Sequence, residues 1–275
     1  MLRRRSAWHR EAAGRSPGAK TDDLSHPDLR PTDQTPRLVL VAGGLYLAAI
    51  LFRDWILQAF GVPTQVTPDY LQHFAVKHVI TTLALRMPAL AVIWLIWVRH
   101  PESRLRASLR AETPRAVMWT LVLTVGLSFV LNLFGVWPFM WRWATDSTST
   151  YVGVLVSSRQ WLAIPLWILM VVVVGPVIEE LVFRFGVLQT VRDWTGSSAK
   201  AVIASSVIFA LGHLGYLPAD RAHIVNATWL FGASLALGKI TLDRTGRVTL
   251  SLTAHVARNA LEVSLLFLLV RPGAV

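Results

Sequence analysis

About seven apolar runs, each close to the 20 residues that carry a helix across a hydrocarbon core, dominate this chain. They fall at approximately 38–60, 79–98, 117–137, 161–190, 199–217, 223–241 and 248–270, and an interfacial segment at 138–160, marked by Trp137, Trp141 and Trp143, would make an eighth. With no water in the bilayer to satisfy the backbone, runs of this length close their hydrogen bonds internally as helices. Composition agrees: 53% hydrophobic residues and twelve Trp exceed what an ordinary soluble domain of 275 residues carries. The expected fold is therefore all-α, a polytopic membrane helix bundle of about seven to eight transmembrane helices.

The net charge of +11 would suggest a nucleic-acid partner in a soluble protein. Its distribution argues for topology instead. Of 27 Lys and Arg, 18 lie in 1–37, 99–115, 185–200 and 239–247, all on one side of the helix map; five lie on the other side and four within spans. Basic loops stay cytosolic, so the amino terminus is expected in the cytosol of a multi-pass protein of the bacterial cytoplasmic membrane, with the lipid bilayer as partner and no nucleic acid. Residues 1–37 mix eight basic with five acidic residues and four Pro, and read as a disordered basic cytosolic tail. They do not read as a removable signal peptide, and the first span serves as its own anchor. Residues 38–114 read as amino-terminal transmembrane helices. The absence of Cys excludes disulfides, thiolate metal sites and a cysteine nucleophile together.

Ionisable groups inside such spans are functional candidates, with pairing as the competing explanation. Arg53 and Asp54 are adjacent and read as mutually neutralising. Arg86, alone near the middle of its span, faces the interior either as a structural partner or as a field near a site. The stretch VVVVGPVIEELVFRFGVLQ places Glu179, Glu180 and Arg184 in one apolar helix. Residues four apart share a helix face, so Glu180 and Arg184 stack as an ion pair and Glu179 points elsewhere, free to take up and release a proton. Pro176, one turn earlier, removes a backbone donor and loosens the helix. His213 lies four residues after Phe209, and His255 four residues before Asn259; Arg258 and Glu262 read as a structural pair. At 1.5 Å per residue Glu179 and His213 lie at similar depths, roughly 20 Å from the cytosolic ends of their helices. His255 comes out shallower and requires a tilt or an earlier helix start.

These three patterns, a Glu-Glu-x-x-x-Arg, a Phe-x-x-x-His and a His-x-x-x-Asn on successive helices, resemble the signature of the CPBP or ABI superfamily, the type II CAAX prenyl protease-like and bacteriocin-processing membrane proteins. The resemblance covers about residues 115–270, so 115–275 is expected to be a CPBP-type intramembrane protease core. It implies an endopeptidase acting on a protein or peptide substrate. Glu179 and His213 would activate a water, and His255 with Asn259 would stabilise the oxyanion. One departure is visible: the family usually places Gly directly after the motif arginine, whereas this chain has Phe185 and then Gly186, which bears on packing or substrate access.

The residues themselves agree with that chemistry, since peptide hydrolysis needs a base, an acid for the leaving amine and donors for the oxyanion. A metal variant uses Glu179, His213 and His255 as three ligands of an open zinc site, although no His-Glu-x-x-His helix is present. No serine elbow or Gly-x-Gly-Asp motif appears either. Two non-enzymatic readings stand beside these: an immunity or binding protein that keeps the fold without turnover, and an ion- or proton-coupled transporter.

Overall fold

The structure is a computed structural model, and it describes residues 34–62, 68–101, 103–133, 161–213, 221–244 and 246–269. Among them there are no strands, and the regular elements are helices. We label them α1 (Thr35–Leu51), α2 (Arg53–Ala59), α3 (Pro68–Ala84), α4 (Met87–Arg99), α5 (Arg104–Ser108), α6 (Pro114–Leu133), α7 (Ala163–Thr195), α8 (Ser198–Gly212), α9 (Arg221–Asp243) and α10 (Thr249–Leu269).

Two stretches, His73–Arg99 and Ala163–Thr195, are long and apolar enough to cross a membrane; α1 and α8 are apolar but shorter. Among the described residues these two do not by themselves establish the expected count of seven to eight spans. The first apolar run breaks at Phe52, between α1 and α2, and the fifth ends at Gly212. The candidate segment 138–160, Trp137, the tail up to residue 33 and the side chains of Arg53 and Asp54 lie outside the described residues. Large apolar side chains such as Trp94, Leu123, Leu211 and Leu268 are exposed on the outside of the bundle. An apolar exterior of that kind suits lipid rather than water.

Helix α7 is the axis of the fold. It is not uniform: Leu169–Val174 and Glu180–Val187 are π-helical, separated by one α-helical turn, Gly175–Glu179. Such wide turns are rare and occur most often at functional sites, because each one re-aims the side chains beyond it. In the π register the carbonyl of residue 171 looks for the N–H of residue 176, and Pro176 has none. Asn259 Nδ2 on α10 donates to Val171 O at 3.0 Å and fills that place. The far end of α7 stops at Gly196, in the left-handed conformation at φ 63°, and Ser197 then caps α8 through the backbone N–H of Lys200.

Helix α1 packs directly on the second half of α7 and on α4, so the amino-terminal helices share a core with α7. Val39, Ala42, Tyr46, Ala89, Ile93, Ile178, Val182 and Phe185 form it. The close approach depends on glycine. A Cβ at Gly43 would sit 2.7 Å from Val182 Cγ1, and one at Gly186 would sit 3.2 Å from Leu40 Cδ2. Phe185, the departure from the family pattern, is buried in this same core, while Gly186 beside it admits α1. Its effect is therefore on helix packing. Gly44, by contrast, has nothing within 4 Å of an added Cβ. We expect Gly43→Ala to lower stability by about 1–3 kcal/mol through overpacking. Gly44→Ala should be neutral or stabilising, by up to about 1 kcal/mol from helix propensity. Thermal unfolding of the two variants in detergent compares them directly, and equal effects would contradict the packing of α1 on α7.

Candidate active site

The polar groups predicted from sequence divide into two layers. Glu179 and His213 line a cavity of about 370 Å³, together with Tyr46, Arg86 and an apolar wall that includes Leu40, Val182, Phe183 and Ile208. Glu180, Arg184, His255 and Asn259 do not line it. They form the layer behind.

In that rear layer Glu180 and Arg184 are completely buried, as the i, i+4 spacing anticipates, with Arg184 Nε 3.5 Å from Glu180 Oε2. The guanidinium also lies over the Phe209 ring, 4.7 Å from its centroid, which adds an attraction between cation and π-face. Glu180 is not reserved for Arg184. Its Oε1 lies 2.9 Å from His255 Nδ1, while His255 Nε2 lies 3.7 Å from Glu179 Oε2. His255 thus bridges the two adjacent glutamates from α10, with Glu180 its closer partner. Arg258 and Glu262 form the expected pair at 2.7 Å, away from the cavity.

The front layer is set by shorter-range geometry. His213 is the residue on which α8 ends, and its Nδ1 lies 2.8 Å from Phe209 O. A carbonyl only accepts, so Nδ1 carries the proton and Nε2 is left as an acceptor. Phe209 connects the layers: its ring contacts His213 at 4.6 Å and His255 at 6.3 Å between centroids. Glu179 receives the Tyr46 hydroxyl at Oε1, 3.3 Å away. Tyr46 was not among the residues singled out by sequence; its signal there is a lone hydroxyl one turn after Gly43, the glycine that brings α1 close. Arg86 sits in the turn that breaks α3 from α4, with Pro88 just beyond it, and its Nη1 donates to Met170 O at 3.3 Å.

Two of the residues expected at the oxyanion are placed elsewhere in this arrangement. Asn259 does not present its amide to the cavity, because Pro176 leaves Val171 O in need of a donor and Asn259 supplies it. His255 likewise has both ring nitrogens turned to carboxylates.

A zinc site would require Glu179, His213 and His255 to converge on one point. Among the described residues no group of three or more His, Cys, Asp or Glu is placed to hold a metal ion. The fit fails because His255 already spans Glu179 and Glu180 behind the cavity, away from its lining.

Residues 160–261 match the family model of the type II CAAX prenyl endopeptidase, Rce1-like. The match supports placing that segment in the CPBP superfamily. The match spans all three motifs, from Glu179 to Asn259, and the family is one of membrane-embedded proteases. No curated protein and no solved structure matched the chain.

Proposed function

We propose that this protein is an intramembrane endopeptidase that uses Glu179 to activate water. The observation that carries the reading is that a carboxylate and an imidazole acceptor, Glu179 and His213, share one largely apolar cavity. Glu179 accepts a proton from a water whose other hydrogen bonds to His213 Nε2. The water oxygen bonds to the scissile carbonyl carbon, and the carbonyl electron pair moves onto its oxygen. On collapse that pair returns, the C–N bond breaks, and protonated Glu179 gives its proton to the leaving nitrogen, so a carboxylic acid and an amine leave the site. His255 steadies Glu179 from behind, and Glu180 with Arg184 anchors His255. Enclosure by the bundle strengthens each of these contacts relative to a surface site.

The substrate is a protein or peptide that reaches the cavity from the membrane, and the protein resides in the bacterial cytoplasmic membrane with its amino terminus in the cytosol. The activity is testable with the substrate still unidentified, by comparing membrane-protein fragments from cells making the native chain with those from cells making Glu179→Gln. Fragments that require Glu179 are expected; identical fragment sets would sink the hydrolase reading. Cleavage by the purified protein should persist in excess chelator, and its loss, restored by zinc, would establish the metal route instead.

A further inference from the structure

Hydrolysis through Glu179 requires a donor for the oxyanion, and the described side chains around the cavity leave one with free capacity. His255 spends Nδ1 on Glu180 at 2.9 Å, and its Nε2 faces Glu179 at 3.7 Å from outside the cavity lining. Asn259 is engaged by Val171 O and stands outside the cavity. His213 spends its N–H on Phe209 O. Tyr46 gives its one proton to Glu179. Arg86 remains: a guanidinium carries five N–H donors, and the contact made by this one is a single bond to Met170 O at 3.3 Å. It also stands next to the base. A methyl group added at Gly175 would touch both, at 2.9 Å from Arg86 Nη1 and 3.7 Å from Glu179 Oε1, so one glycine separates cation and carboxylate.

We propose that Arg86 is a catalytic residue whose guanidinium donates to the oxyanion formed at the scissile carbonyl, an inference that rests on the hydrolase reading above. As water oxygen bonds to the carbonyl carbon and the carbonyl pair moves onto oxygen, N–H groups of Arg86 bond that oxygen. When the C–N bond breaks the pair returns to the carbonyl, and Arg86 keeps all its protons. Arg86 stands in the turn between α3 and α4, inside the apolar stretch His73–Arg99, and lines the same cavity as Glu179.

The test uses the full-length protein in detergent and a quenched-fluorescence peptide covering the Glu179-dependent cleavage site, made with a free carboxyl terminus and as the amide. Removing a preorganised oxyanion donor lowers kcat by about 10²–10³-fold, so Arg86→Met should do this with KM unchanged. Arg86→Lys should recover part of the rate, and guanidinium ion added to Arg86→Ala should restore part of it, a rescue that a purely structural arginine would not show. Both effects should be the same for acid and amide peptides. Wild-type kcat in Arg86→Met overturns the proposal, as does a defect confined to the free-acid peptide, which would make Arg86 a clamp for a terminal carboxylate. Should Arg86→Met not fold, the Lys variant and the guanidinium rescue decide alone, and absence of rescue overturns the assignment. Inactive Glu179→Gln beside fully active Arg86→Met removes only this inference; absence of any Glu179-dependent fragment removes the hydrolase reading and this inference with it.

Discussion

Glu179→Gln is expected to lower the cleavage rate by about 10²–10⁴-fold, the range a general base contributes, while the protein inserts and unfolds as the native chain does. Glutamine has the same shape and keeps an oxygen to accept the Tyr46 hydroxyl, so the bond now 3.3 Å long survives in kind. What it loses is the ability to take a proton. Because the substitution removes a buried charge and leaves Arg86, the cation beside it, its bond to Met170 O, stability should change by about 1 kcal/mol. Glu179→Asp sharpens the test. It keeps the chemistry but withdraws the carboxylate by one methylene, and a displacement of about 1 Å at the reacting atoms costs about 10²-fold. Aspartate with full activity, or glutamine with retained activity, would show that the proton is handled elsewhere. Turnover of the cleavage-site peptide, measured beside thermal unfolding of the same preparations, separates lost chemistry from lost fold.

Much of this site was legible in the sequence because α-helical spacing and membrane expense act locally. A carboxylate pair and an arginine inside an apolar run have few arrangements open to them, and the Glu180–Arg184 stacking follows from four-residue spacing alone. The same holds for His213 against Phe209. What was hidden depends on departures from the α register or on distant partners. Hydropathy does not reveal that α7 is π-helical on either side of Gly175–Glu179, and only that register explains why Asn259 is drawn to Val171 O. Tyr46 meets Glu179 across 133 positions of chain, a pairing no local pattern encodes. Arg86 was visible as a lone charge in a span, but its place in the lining of the cavity beside Glu179 depends on partners far along the chain. The ends of the first and fifth helices were hidden for a related reason: apolar composition persists through Phe52 and past Gly212, while the helices stop.

Glu180→Gln should show the opposite signature, with a loss of about 3–5 kcal/mol in stability that precedes any question of catalysis. Arg184 is fully buried, and Glu180 is the carboxylate within ion-pair distance of it among the described residues, at 3.5 Å. Neutralising Glu180 leaves a guanidinium whose remaining support is the face of Phe209, and a ring face offsets only part of an uncompensated charge. His255 loses its charged partner at the same time, since Glu180 Oε1 holds its Nδ1 at 2.9 Å. A second substitution distinguishes charge from shape. Replacing a buried ion pair as a whole by apolar groups is often neutral, so Arg184→Met introduced into Glu180→Gln should recover much of the loss, and the double-mutant cycle should report a coupling well above about 1 kcal/mol. Unfolding midpoints of the four proteins in one detergent supply the cycle. A Glu180→Gln variant as stable as the native chain would mean that Arg184 draws its compensation from elsewhere, and the layer that holds His255 against Glu179 would need a different support.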